Sequence, residues 1–330
     1  MWFYFFICTG VIVYAGSRLS RYGDIIAEKT GLGRTWTGLI LIAATTSLPE
    51  FITGISSVTY ADAPDIAAGD VLGSCVFNLV ILSFLDALYP PMPISSKAHG
   101  GNILSAGFGI LILSLLAISM VGKDAFFSAG WVGSYSLLII VLYLLAMRTA
   151  FKFEKRKIAE FVKEMAVELR YEKISVRRAV ALYSLNAGIV IIAAAFLPEI
   201  GKRIAEETGL GQTFVGSALI ALTTSLPEVV VSASAVRMDA VDLAVGNLFG
   251  SNLFNLLILA LDDVFFMKGP ILSFISDGHL ISALSAIAMT GIAVIGLTYR
   301  SARKRLFLHW DSIGIILVYI MNLLMLYKRR

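Results

Sequence analysis

The 330 residues are 58% hydrophobic and only 15% charged, and the mean hydropathy is +0.82, which excludes a soluble globular domain because one aqueous core cannot bury so much apolar surface. The net charge of +4 does not mark a nucleic-acid surface, since nothing interleaves the basic residues with aromatics. Cys8 and Cys75 both fall in apolar runs, so neither a disulfide framework nor a cysteine metal site is supported.

A hydrocarbon layer about 30 Å thick needs about 20 apolar residues per crossing helix. In chain order, such stretches are predicted at 1–17, 34–60, 63–88, 101–121, 128–147, 176–197, 211–236, 240–265, 276–298 and 310–327, giving ten helices and an all-α membrane protein. The first run, MWFYFFICTGVIVYAGSRLS, carries its first basic residues, Arg18 and Arg21, behind the apolar stretch, and is expected to stay as a helix with its N-terminus outside. Sorting the 27 Lys and Arg between the two sides that ten crossings define puts 20 with the first loop and 7 opposite it. By the positive-inside rule both termini lie outside and the segment 149–175 lies in the cytoplasm. In that segment Phe153, Ile158, Phe161, Met165 and Leu169 recur near helical spacing among basic residues, which predicts an amphipathic helix on the anionic lipid surface.

The chain repeats itself. Residues 25–50, IIAEKTGLGRTWTGLILIAATTSLPE, and 203–228, RIAEETGLGQTFVGSALIALTTSLPE, are identical at 18 of 26 ungapped positions. A second pair follows, GDVLGSCVFN at 69–78 and GNLFGSNLFN at 246–255. The predicted spans separate corresponding elements by an odd number of crossings, so the second copy enters the membrane from the opposite face. The organisation expected is a five-helix repeat over 1–148, the linker 149–175, and an inverted five-helix repeat over 176–330. Inverted repeats with interrupted helices at matching places are the mark of an alternating-access transporter, with its binding site near the midplane. A channel needs no such symmetry, and an embedded hydrolase would need a nucleophile or a metal motif such as H-E-x-x-H, which the chain lacks.

Each TTSLPE run places a carboxylate, Glu50 or Glu228, in the middle of an apolar span, where an ionisable group is a functional candidate by default. Thr46 and Ser47 share a helix face with Glu50, as Thr224 and Ser225 do with Glu228. Pro49 and Pro227 cannot donate a backbone hydrogen bond, so each helix should break there. The partner spans add Ser74 and Asn78, then Ser251 and Asn255, each pair four residues apart, and Gly73 and Gly250 allow close backbone approach. A set made only of oxygen and amide ligands suits a hard cation such as Ca²⁺ or Na⁺. No Lys or Arg falls between 35 and 88, and only Arg237 between 204 and 267, so the two carboxylates need a mobile cation or a proton. Asp70 lies on the face of Ser74 and reads either as lining the path by which ions enter or as a helix-end hydrogen-bonding residue. Asp62, Asp65, Asp239 and Asp242 read as solvated turn residues. His99, His279 and His309 read as interfacial polar groups, none paired with a second metal-type ligand.

The paired A-x-T-T-S-L-P-E and G-S-x-x-F-N motifs resemble the α-repeats of the sodium/calcium exchanger family, within the Ca²⁺/cation antiporter superfamily. The resemblance implies ten helices with broken core helices 2, 3, 7 and 8 around the ions and with helices 1 and 6 sliding against them. It implies that Glu50 and Glu228 are shared by Ca²⁺ and Na⁺, that Thr46, Ser47, Ser74, Thr224, Ser225 and Ser251 supply hydroxyls, that Ala43 and Ala221 supply carbonyls, and that Asn78 is the family's asparagine. Asparagine at 255 resembles the potassium-independent exchangers. The activity implied is electrogenic exchange of Na⁺ for Ca²⁺ across the plasma membrane, with the bilayer as surroundings and no cofactor, nucleic acid or obligate protein partner. The competing reading is H⁺/Ca²⁺ antiport, because two protons neutralise two carboxylates as well as one Ca²⁺ does.

Overall fold

Backbone amides in hydrocarbon must be satisfied within their own segment, which drives an apolar chain to helix. Helix dominates the computed structural model, which describes residues 1–29, 45–89, 92–96, 100–122, 127–161, 174–301 and 308–329. The helices are α1 (Trp2–Lys29), α2 (Leu48–Thr59), α3 (Pro64–Leu88), α4 (Gly100–Val121), α5 (Ser134–Phe161), α6 (Val176–Thr208), α7 (Gln212–Thr224), α8 (Leu226–Arg237), α9 (Val241–Phe265), α10 (His279–Tyr299) and α11 (Trp310–Lys328). Two-residue strands, Ser128–Ala129 and Val132–Gly133, pair antiparallel just before α5. Among the described residues eight helices are long and apolar enough to cross a membrane, or nine with the bent pair α7–α8 counted as one span. The remaining expected span, 34–60, is represented by α2; residues 30–44 lie outside the described residues. The chain is an all-helical integral membrane protein.

The breaks are fewer than expected. The seventh span bends by 44° between α7 and α8. The hinge is Ser225 (φ −84°, ψ 2°), and Ser47, its counterpart before α2, has nearly the same backbone (φ −85°, ψ 13°). Pro227 and Pro49 sit in the first turns of α8 and α2, where a helix needs no proline N–H. Helices α3 and α9, expected to be broken, run unbroken over 25 residues each. Neither has a proline past its first turn, so nothing interrupts their backbone ladders. Helix α5 continues past its expected boundary to Phe161, so 149–161 prolong the preceding helix, whose apolar span ends at Phe153.

Helices α3 and α9, whose motifs are copies of one another, lie antiparallel. Lys268 Nζ, just after α9, bonds both oxygens of Asp62, just before α3, at 2.7 Å. At the opposite end Tyr89 Oη, just after α3, donates to Asp239 Oδ1, just before α9, at 2.6 Å. The turn aspartates are therefore latches as well as solvated groups. The hydrogen bond from Lys268 holds the exposed Asp62 carboxyl below the ordinary carboxylate range. Asp65 accepts from the Ser276 amide and pairs with His279, while Asp242 accepts from Asn102. A matching pair of buried aspartates fixes the loops beyond α3 and α9. Asp86 accepts from the Ile94 and His309 amides, and Asp263 accepts from the Ile271 and Gly133 amides, Tyr135 and Ser136.

Close packing puts α7 against α3. Residues Val215–Ile220 widen into a π-helical turn, and a side chain on Gly69 would meet the Gly216 backbone at 2.9 Å. One turn on, a side chain on Gly73 would strike the Ser217 carbonyl and Ala221. Helices α1 and α6 pack on each other and share one apolar cluster, built from Ile12, Ala194, Leu197 and Ile204, with Val215 and Ile220 of α7. A second, larger cluster runs through α3, α4, α5, α9 and α10. Cys8 and Cys75 are free.

The histidines depart from expectation. His279 is wholly buried and its Nε2 lies 2.9 Å from Asp65 Oδ1; His309 Nδ1 lies 2.9 Å from Asp311 Oδ1. Each thus has a carboxylate partner that its place near a predicted helix end concealed. Neither pair grows into a metal-type group of three among the described residues. His99 lies outside them.

Candidate functional site

The two serine hinges aim the N-termini of α2 and α8 into the middle of the helix bundle. Glu50 and Glu228 stand in the first turns of those helices, where the positive end of the helix dipole favours a negative group. Both are completely buried. Glu50 Oε1 accepts from Ser225 Oγ at 3.0 Å and from Ser74 Oγ at 3.5 Å. Glu228 Oε1 accepts from Ser47 Oγ and from Ser251 Oγ, both at 3.2 Å. Each glutamate therefore takes one hydroxyl from the hinge of the other copy and one from the long helix of its own copy. The network is the same when the two copies are exchanged. Glu50 Oε2 and Glu228 Oε2 are buried and meet no donor among the described residues.

The expected ligands gather around this pair. Ser225 Oγ also reaches Ser74 Oγ at 2.9 Å, and Thr46 Oγ1 lies 3.4 Å from Ser251 Oγ. Ser74 Oγ contacts the Ala221 carbonyl and Thr224 Oγ1, each at 3.5 Å. The Ala221 carbonyl also accepts the Ser225 amide at 3.1 Å. Asn78 and Asn255 are wholly buried, and the Asn78 Oδ1 and both side-chain polar atoms of Asn255 meet no hydrogen-bond partner among the described residues. Ala43 lies outside the described residues. Asp70 is not at a helix end. It is buried in the body of α3, and its Oδ1 accepts from Thr224 Oγ1 at 2.8 Å while its Oδ2 meets no donor among the described residues.

Sequence reasoning missed Asn252. Its Oδ1 accepts from Asn78 Nδ2 at 2.9 Å, and its own Nδ2 donates to the Cys75 carbonyl at 3.2 Å. Cys75 is the residue at the same place in the other copy, and its Sγ approaches the Asn252 carbonyl at 3.8 Å. These two positions meet where the copies face each other. The signal was present, because G-S-C-V-F-N and G-S-N-L-F-N differ at that residue in a motif otherwise polar at matching places. Asn252 holds the Asn78 amide so that its oxygen stays free. Asn252→Ala is therefore expected to lower the melting temperature, since one lost buried hydrogen bond costs roughly 1 kcal/mol; an unchanged melting temperature would refute this holding role.

Polar contacts join α1 and α6 to the rest of the bundle: on α6 the Ala194 and Ala195 carbonyls accept from Thr53 and Ser56 of α2, and Lys202 Nζ donates to the Ala61 carbonyl at 3.1 Å. Thr9 Oγ1 on α1 lies 3.2 Å from Thr223 Oγ1, and Tyr183 Oη on α6 lies 3.1 Å from Thr45 Oγ1, the residue corresponding to Thr223. A side chain on Gly16 of α1 would come within 2.8 Å of the Pro227 ring. Each of the two helices thus touches the core next to a hinge, and α6 also along α2.

The family profile described as sodium/calcium exchanger protein matches residues 1–152 and 179–328. The sodium/calcium exchanger MaX1 of Methanosarcina acetivorans is 26% identical over 338 aligned residues, covering 93% of both chains. Among solved structures, the sodium-calcium exchanger NCX_Mj overlays with a TM-score of 0.62 at 22% identity, covering 96% of this chain and 95% of that one. The H⁺/Ca²⁺ exchanger CAX overlays with a TM-score of 0.72 at 15% identity, covering 97% of this chain and 81% of that one.

Proposed function

The chain belongs to the sodium/calcium exchanger family, and from that premise we propose that it is a secondary active antiporter that exchanges Na⁺ for Ca²⁺ by alternating access, electrogenically and without K⁺. The observation that carries this reading is the exchange-symmetric pair of buried glutamates, each with one oxygen held by two serines and one oxygen free. Ca²⁺ takes 6–8 oxygens in a flexible shell. Glu50, Glu228, Asn78, Asn255 and the surrounding hydroxyls of Thr46, Ser47, Ser74, Thr224, Ser225 and Ser251 offer oxygens enough, with the Ala221 carbonyl beside Ser74; the Ala43 carbonyl, outside the described residues, completes the set that the family resemblance implies. One Ca²⁺ cancels the charge of the glutamate pair. The same hydroxyls, taken in smaller groups, suit several Na⁺ ions that displace it.

Alternating access follows from the two halves being inverted copies, 1–148 and 176–330, a reading that the antiparallel course of α3 and α9 supports. The antiport cycle exposes the glutamates first to one face and then to the other as α1 and α6 slide along the core, exchanging the Thr9 and Tyr183 contacts at the hinges. The orientation places both termini outside a plasma membrane and the 149–175 linker in the cytoplasm. Protons are the competing counter-ion, since two of them neutralise the pair as one Ca²⁺ does.

Reconstitution of the full chain in liposomes separates the two. Ca²⁺ uptake is expected to rise severalfold under an outward Na⁺ gradient and to stay at the no-gradient level under a proton gradient alone. Uptake that follows protons and ignores Na⁺ replaces the sodium reading with the proton one. Flux that needs no counter-ion gradient would mark a channel.

A further inference from the structure

The buried core carries more carboxylates than the glutamate pair. Four carboxylates there have an oxygen that meets no donor among the described residues: Glu50, Asp70, Glu228 and Asp262. No Lys or Arg is buried among those residues. Asp262 stands out because neither of its oxygens has a donor and it is fully shielded from solvent. An isolated carboxylate in such surroundings is costly unless a cation or proton joins it.

Its position is defined by α9 and α2. It lies on the face of α9 that holds Ser251 and Asn255, seven residues beyond Asn255 and thus about 10 Å along the axis. It rests on Gly54, where an added side chain would come within 2.5 Å of Oδ2 and 2.6 Å of Oδ1. Gly54 is one turn past Glu50 on α2, toward the end of the molecule where Lys268 bonds Asp62. Asp70, one turn before Ser74 on α3, lies on the same side of the centre, bonded to Thr224 Oγ1. Asp263, next to Asp262 in the chain, is engaged by the Ile271 and Gly133 amides, Tyr135 and Ser136.

The other copy lacks all of this. At the places corresponding to Asp262, Asp70 and Gly54 stand Leu85, Asn247 and Ser232, and there Asn247 Nδ2 simply donates to Ser232 Oγ at 3.1 Å. All three differences remove charge or room from one half of the core and leave both in the other. The glutamate pair obeys the symmetry of the repeat, whereas this feature breaks it.

We propose that Asp262, seated on Gly54, forms a second position for a hard cation, Na⁺ or Ca²⁺, between the glutamate pair and the Asp62–Lys268 end of the molecule. A separation of about 10 Å from Asn255 far exceeds the 2.3–2.6 Å of a Ca²⁺–oxygen bond, so the position is distinct from the central one. Ions that move between the centre and that end pass a carboxylate with no donor among the described residues, whereas Asp86, at the opposite end, is engaged by two amides.

The inference rests on the reading that the core binds the transported ions, and equilibrium binding separates its failure from the failure of that reading. The full chain in lipid nanodiscs is titrated with ⁴⁵Ca²⁺ and, separately, with ²²Na⁺. Asp262→Asn is expected to bind one cation fewer than the wild type while keeping the central one. A loss in the Ca²⁺ count identifies a divalent occupant, and a loss in the Na⁺ count alone a monovalent one. Should Asp262→Asn fold poorly, Asp262→Leu installs the residue that the other copy uses at this place. Equal counts of both ions in the wild type and in a folded Asp262 variant, with Glu50→Gln still losing Ca²⁺, overturn the second position alone. Absence of all binding in the wild type overturns the exchange reading with it.

Discussion

Glu50→Gln and Glu228→Gln are each expected to abolish Ca²⁺ exchange while the protein still folds. Glutamine keeps an acceptor for Ser225 and Ser74, or for Ser47 and Ser251, so the hydroxyl network survives. It removes a buried charge that no basic residue offsets among the described residues, so the folded state loses nothing on that account. The ion loses one of two formal charges and an anionic oxygen. Breaking one partner of a buried charge pair costs about 3–5 kcal/mol, which corresponds to a loss of affinity on the order of 10²- to 10⁴-fold. Both variants should therefore elute as the wild type does on size exclusion and show no Ca²⁺ uptake under a Na⁺ gradient. Near-normal transport by either one would remove the glutamate pair from the centre of the mechanism.

The equal severity expected of the two variants comes from the repeat, and the repeat was legible because it is written in residues that cannot be exchanged freely. T-T-S-L-P-E uses its proline to start a helix, its serine to bend the chain and its glutamate to form the buried pair, and both copies have the same letters. The same words place Ser47 and Ser225 at the hinges with closely similar backbone angles. What escaped were features set by contact across the copies. Asn252 faces Cys75 only after α3 and α9 lie against each other, and Asp262 meets Gly54 only after α2 packs beside α9. Each is an unremarkable letter in its own helix. The continuity of α3 and α9 was not legible either, because the expected breaks came from the resemblance alone; on α3, Gly69 and Gly73 admit the backbone of α7, as the close approach expected at Gly73 requires. His279 was misread for a related reason, since its partner Asp65 comes from another helix, whereas the partner of His309, Asp311, stands two residues on in the same chain segment.

Gly73 is where fold and site meet, and Gly73→Val is expected to be lost on both counts. A Cβ there would lie 2.7 Å from both the Ser217 Cα and the Ala221 Cβ, and closer still to the Ser217 carbonyl. Two of these obstacles are backbone, which cannot rotate aside as a side-chain tip can, so α3 and α7 must separate. Overpacking of this kind costs typically about 1–3 kcal/mol and more where the backbone is rigid. Separation also moves Ser74, the next residue, away from Glu50 and from the Ala221 carbonyl, contacts already at 3.5 Å. The matched control is Gly107→Val on α4, where nothing lies within 4 Å of the added Cβ. The melting temperature in detergent and the rate of Na⁺-driven Ca²⁺ uptake should both fall for Gly73→Val and stay near wild type for Gly107→Val. Equal behaviour of the two variants would mean that the approach of α7 to α3 is not what holds the serine, the carbonyl and the glutamate together.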